Sequence, residues 1–214
     1  MQSSERNQRT ARLLNRQSGS WGTTSAMYFD AVQAVFRESA KAVAGDPTKS
    51  SRLVYAGIPV LMAGVEAFLI EHQHLLKDSS SLQTLAGVSP VREVLNPYPL
   101  PDDLRRDLEA LIEIRNQIVH PSPVPFGKPA WPQSLQRLRE RKVLDGNTPQ
   151  SGADVLDLLA SHRMFEWAIQ RCAEALDVIA DSDAERSWMF HQLAGNLRRV
   201  LKNPTPHGGT AQRP

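Results

Sequence analysis

Apolar residues recur three and four positions apart along most of this chain, and the places where that rhythm breaks divide it into segments. Phe29, Val32, Phe36, Ala40 and Val43 follow the spacing from Ser25 onward, which predicts a helix ending near Gly45-Asp46-Pro47. A second helix starts after Thr48-Lys49-Ser50 and runs to about Lys77, with a bend expected at Pro59, whose ring removes a backbone donor and crowds the preceding turn. It is apolar on every side and has to be covered on every side. Ala56, Gly57, Ala63, Gly64 and Ala67 let its neighbours approach closely. A connector over 77–101 follows, with one short helical turn at Val91 to Leu95.

Pro101 suits the first turn of a third helix and Asp102 and Asp103 complement its dipole. Its stripe is Leu104, Leu108, Leu111, Ile112 and Val119, and Pro121 ends it. The proline-rich stretch beyond, with a short basic amphipathic piece from Leu135 to Leu144, reads as an insertion or flap over 121–152. A fourth long helix from about Ala153 carries Val155, Leu158, Phe165, Ile169, Cys172, Leu176 and Ile179 in near-heptad steps. A fifth, from Ala184 to Lys202, presents Trp188, Leu193, Leu197 and Val200. No alternating strand pattern and no repeat is present. The pattern predicts an all-α fold, an antiparallel bundle of four to five helices, as a single domain over 25–202 with a basic segment before it (1–24) and a tail after it (203–214).

Composition changes this picture little. The 214 residues are 41% hydrophobic and 22% charged, enough for one core. The net charge of +2 names no partner; its distribution is more informative. Arg6, Arg9, Arg12 and Arg16 stand against Glu5 alone at the start, and the last twenty residues hold no acid. The single cysteine, Cys172, excludes an intramolecular disulfide and a cysteine-based zinc site, in keeping with a reducing, cytoplasmic setting. Residues 53–70 have the length of a short membrane span, but Pro59 and Glu66 interrupt them and no aromatic belt or basic flank marks an exit. They read as a buried helix, and no membrane partner is expected.

The chemistry is concentrated in "IRNQIVHP", residues 114–121. At about 100° per residue, Arg115 points within a few tens of degrees of Leu104, Leu108 and Leu111, toward the core or an interface. A guanidinium there needs a carboxylate or a phosphate to offset its desolvation. Asn116 and His120 are four apart on a polar face, so the amide can reach the imidazole and orient it. Pro121 disfavours helical geometry at His120, which therefore sits where the helix lets go. A purely structural account competes with this one, in which Arg115 pairs with Glu66 or another buried acid and His120 is a satisfied helix-end residue donating to carbonyls.

The hexapeptide "RNQIVH" resembles the signature of the HEPN superfamily (higher eukaryotes and prokaryotes nucleotide-binding), in which an arginine and an adjacent polar residue precede a histidine at the end of a helix. The resemblance implies a metal-independent endoribonuclease that cuts RNA at a site shared across a homodimer, with no cofactor. Arg115, Asn116 and His120 match the catalytic positions, and Glu66 matches a supporting acidic position on the second helix. It also implies a toxin or phage-defence effector, with an antitoxin or regulatory partner. A non-catalytic module that binds RNA or nucleotide, or senses a partner, is the alternative. A helical protein that only oligomerises is a third reading.

Other candidates read as structural. The second Arg-x4-His pair, Arg186 and His191, lacks the asparagine. His72 and His74, two apart on a helix, point to opposite sides and read as solvated or interface residues. His162 reads as a core or interface histidine, and Trp167 and Trp188 read as core aromatics before base-stacking platforms.

Overall fold

The computed structural model describes residues 24–76, 95, 98–120, 133–144, 152–182 and 187–202. The basic N-terminal segment, the C-terminal tail, most of the 77–101 connector and the outer parts of the predicted insertion lie outside them. The described residues form seven helices and no strand: α1 (Thr24–Ala42), α2 (Leu53–Leu76), α3 (Asp102–Val119), α4 (Gln133–Glu140), α5 (Gly152–Leu159), α6 (His162–Asp181) and α7 (Ser187–Lys202). The all-α bundle expected from the apolar rhythm is the fold.

Three contacts fix its topology. Glu71 near the end of α2 accepts from the backbone N–H (3.1 Å) and hydroxyl (2.5 Å) of Ser25 at the start of α1, so these helices run antiparallel. Tyr98, just before α3, meets His72 of α2 at 2.8 Å, so α3 starts where α2 ends and runs back along it. Ser51 donates to the Ala160 carbonyl at 2.8 Å, which brings the starts of α2 and α6 together. α3 therefore ends on the side of the bundle where α2 and α6 begin.

α2 is the core helix: Val54, Ile58, Leu61, Met62, Val65, Phe68 and Leu69 are all buried. It is also the one described helix long and apolar enough to cross a membrane, and here it packs against α1, α3 and α6. Its small residues do what their size suggests at two places. A Cβ on Gly57 would lie 2.4 Å from Phe165 Cζ, and one on Gly64 would lie 2.7 Å from Phe29 Cε1. Helix α2 continues through Pro59, which stands in its second turn.

The predicted fourth helix is two helices. Ser161 interrupts it, capping α6 by accepting from the Met164 N–H at 3.2 Å. The α1–α2 turn fills the break, since Lys49 and Pro47 carbonyls accept from the N–H groups of His162 (3.3 Å) and Arg163 (2.8 Å). The apolar residues stay buried on both sides of it, so the heptad rhythm runs through a break that only the serine signals.

The described part of the predicted insertion is not a loose flap. Leu135, Leu138, Val143 and Leu144 belong to the core, and α4 is tied to α3 by an ion network around Asp107, which is 0% exposed. Asp107 Oδ1 accepts from Arg137 Nε at 2.7 Å and Arg141 Nε at 3.1 Å. Its Oδ2 lies 3.0 Å from Arg141 Nη2, off the hydrogen-bond axis, and 3.9 Å from Arg171 Nη1 of α6. Asp103, one turn earlier, binds the same two α4-side arginines at 3.1 Å each. The hydrogen bond from Arg137, with Arg141 beside it, holds the Asp103 carboxyl below the usual carboxylate range.

Three aromatic and histidine positions bear on the sequence reading, and two of them correct it. His72 is fully buried, stacked on Phe68 and edge-on to Phe190. His162 is buried as expected, 3.0 Å from Ser39 Oγ and against Phe36. Trp188 is 63% exposed, and Phe190 takes the core position instead. At about 100° per residue Phe190, Leu193, Ala194, Leu197 and Val200 define the buried face of α7, and Trp188 lies opposite its centre.

Removing the Asp107 carboxylate leaves three guanidiniums converging on an apolar site. Asp107→Ala is expected to destabilise the fold by about 3 kcal/mol, the low end for breaking a buried ion pair because the arginines are partly solvated, read as a lower urea midpoint. Burial holds the His162 pKa below its ordinary value of 6.5. A depressed histidine favours the folded state while neutral, so that stability is full above the unfolded pKa and is lost as the pH falls below it. Between about pH 7 and pH 5 the urea midpoint should fall in the parent and stay flatter in His162→Gln.

Candidate functional site at the end of helix α3

α3 is held over its first three turns by Leu104, Asp107, Leu108, Ala110, Leu111 and Ile114, all buried. That face drifts around the helix as it advances: its centre lies near Leu104 and Leu108 at the start and has moved toward Ile114 by the last turns. Arg115 and Val119, aligned with the first part of the stripe, are carried to its edge. Arg115 is half-buried and Val119 is 43% exposed. This corrects the expectation that Arg115 faces the core squarely.

The guanidinium has no carboxylate among the described residues. Arg115 Nη1 donates to Asn116 Oδ1 at 3.0 Å, and among the described residues Arg115 forms no ion pair. Glu66 is half-buried on α2 and likewise forms none. Neither the Arg115–Glu66 pair nor a pair of Arg115 with another acid, as the structural account has it, is made among the described residues. Arg115 thus sits on the flank of an apolar face with one neutral partner, a setting in which an arriving anion gains the most.

The asparagine works on a different neighbour from the one its spacing suggested. Its side-chain oxygen serves Arg115, and its link to His120 is through the backbone, the His120 N–H donating to the Asn116 carbonyl at 2.7 Å. That bond closes the last turn of α3 and fixes where the ring emerges. The ring is exposed, beyond the final helical residue, at φ −131° and ψ 70°. Arg115, Asn116 and His120 therefore share one exposed helix end, and Glu66 is not joined to them.

Asp107 is the charged group the sequence reading misses, although its signal is the same as that of Arg115: a charge on the apolar face of α3. His191 of the second Arg-x4-His pair is occupied, its ring nitrogens lying 3.3 Å from Asp177 and 2.9 Å from Asp181 of α6. Among the described residues no group of three or more histidine, cysteine or acidic side chains could hold a metal ion. Cys172 is buried, which pushes its thiol up to about 12, and it is no nucleophile in the folded chain.

No family model, no characterised protein and no solved structure matches this chain.

Since Arg115 holds no ion pair among the described residues and His120 is exposed, neither residue contributes much to folding. Arg115→Ala and His120→Ala are each expected to change stability by less than about 1 kcal/mol, measured by urea unfolding.

Proposed function

We propose that this chain is a metal-independent endoribonuclease of HEPN type, acting as a homodimer whose two α3 ends share one cleft. The observation that carries the reading is Arg115: a guanidinium on an apolar flank, oriented by Asn116, without a carboxylate among the described residues, and little more than one turn from an exposed histidine on the same helix end. In the reaction the RNA 2′-oxygen attacks the adjacent phosphorus as its proton is taken, and the bond to the 5′-oxygen breaks as that oxygen is protonated. His120 handles one proton, His120 of the second copy the other, and Arg115 neutralises charge on the phosphorane. Glu66 supports the site only if binding draws it toward Arg115.

The dimer has its own support. Among the described residues, Leu53, Val119 and Leu156 are exposed large apolar side chains, at 37%, 43% and 37%. All three belong to elements that begin or end on the side of the bundle where α3 terminates, and a second copy would cover them. The biological role this suggests is a cytoplasmic toxin or phage-defence effector restrained by an antitoxin or other regulatory protein. One observation favours the alternative of a non-cutting RNA- or nucleotide-binding module: Asn116 is engaged by Arg115, so the His120 ring has no hydrogen-bond partner among the described residues to fix its tautomer.

Purified dimer incubated with total cellular RNA in EDTA is expected to cut it. His120→Ala and Arg115→Ala should each slow cleavage by at least about a hundredfold while keeping the parent's helical spectrum and size. Intact RNA after incubation with folded dimer would move the assignment to the binding module.

A further inference from the structure

The solvent side of α7 carries an ordered line of side chains. Trp188, Gln192, Gly195, Arg199 and Lys202 follow one another at four- and three-residue steps, so they lie along a single line. Trp188, Gln192, Arg199 and Lys202 are exposed, and nothing stands within 4 Å of where a Gly195 side chain would begin. The line is about 21 Å long at 1.5 Å per residue. Neither α7 nor the sequence beyond it contains an aspartate or glutamate.

The charges of α7 fall into two sets. Its inner cations are tied to α6: Arg198 pairs with Asp177, and His191 lies between Asp177 and Asp181. Those pairs engage the two α6 acids that approach α7. The outer cations, Arg199 and Lys202, form no ion pair among the described residues, so their charge is directed at solvent with no acid on their own helix to oppose it. At the other end of the line stands the most exposed tryptophan surface among the described residues, 63% open, where an indole gains nothing from the core.

We infer that the outer face of α7 is a docking surface for single-stranded nucleic acid, with a base stacked on Trp188 and backbone phosphates on Arg199 and Lys202. The chemistry suits that occupant. An aromatic plane and unpaired cations along a polar, sterically open track supply stacking and phosphate neutralisation together, and Gly195 lets a backbone lie close. An anionic membrane is a poorer match, because the apolar face an inserting helix needs is already buried as Phe190, Leu193, Leu197 and Val200. α7 runs toward the side of the bundle where α3 ends, so a strand held along it is led toward that end. The binding itself does not depend on cleavage.

A labelled single-stranded DNA oligonucleotide separates this proposal from the catalytic one, since it lacks the 2′-hydroxyl and cannot be cut by that chemistry. In fluorescence anisotropy the full-length chain is expected to bind it with an affinity that falls steeply with salt. Arg199→Glu combined with Lys202→Glu should weaken binding at least about tenfold and lower the salt slope by roughly 1.4, the value for two phosphate contacts on a single strand. Trp188→Ala should weaken it by about tenfold through lost stacking. All these positions are exposed, and circular dichroism checks that the variants keep the parent's fold. The proposal is overturned if the parent does not bind, or if the folded double variant binds as the parent does. It is equally overturned if Arg12→Glu with Arg16→Glu abolishes binding while the α7 variants do not, or if phosphatidylserine vesicles displace the oligonucleotide and lose binding to the same α7 substitutions.

Discussion

One fully buried carboxylate organises this bundle. Asp107 lies at the meeting point of α3, the short helix α4 and α6, and three arginines reach it from two directions. A lone carboxylate at that depth would be costly, and so would the guanidiniums without it. Together they specify a geometry that apolar packing alone leaves loose, because α4 is only eight residues long and a helix of that length is not stable by itself. Its leucines supply burial, whereas the ion pairs supply register and direction. Arg137 and Arg141, four apart, present both guanidiniums on one side of the α4 segment, and Asp103 and Asp107 present their carboxylates at the same interval on α3.

This anchoring has a consequence for the other end of α3. Eight residues, about 12 Å of helix, separate Asp107 from Arg115. The first three turns are clamped by the network and the core, and in the last turn Ile118 still packs against that core while Asn116, Val119 and His120 are exposed. A rigid base with an open tip is how a catalytic or binding group is presented accurately at a surface. The Asn116 amide extends the same logic by one residue, since it orients the guanidinium without neutralising it.

Much of this architecture is legible in the sequence, and the misreadings share a cause. Stripe-forming residues such as Phe29, Val32, Phe36, Leu104, Leu108 and Leu111 identify helices and their buried faces correctly, because removing large apolar side chains from water is the strongest force driving this chain to fold. The errors arise where a stripe is carried too far. On α3 the buried face drifts, so Val119 and Arg115 leave it while Asp107 and Ile114 enter. On α7 the step from Trp188 to Leu193 is five residues, which is not a helical interval, and the register that includes Phe190 wins. The break at Ser161 is hidden because its neighbours keep heptad spacing; only contact with the α1–α2 turn, far away in sequence, makes the cap worth more than a continued helix. Pairing is hardest to read. The partners of Asp107 lie thirty or more residues away, and the asparagine's choice of Arg115 over His120 depends on rotamers that spacing does not encode.

Asp107 and Arg115 pose the same electrostatic problem with opposite outcomes. Each is a charge on the apolar side of α3. The acid is surrounded by arginines and shut away from solvent, so no ligand can improve its position, and its role ends with the fold. The arginine has a single neutral amide, a half-open position and, among the described residues, no paired acid. Its guanidinium retains unused donors in a planar fork, the geometry that fits a phosphate. The same contrast separates the two charge sets of α7, where Arg198 is consumed by Asp177 and Arg199 is not. On both helices a cation stands at or beyond the edge of the buried face without an ion pair among the described residues. Arg115 and Arg199 are thus half-open or exposed cations without an ion pair among the described residues, and their planar forks keep donors that an anion such as a phosphate can still engage.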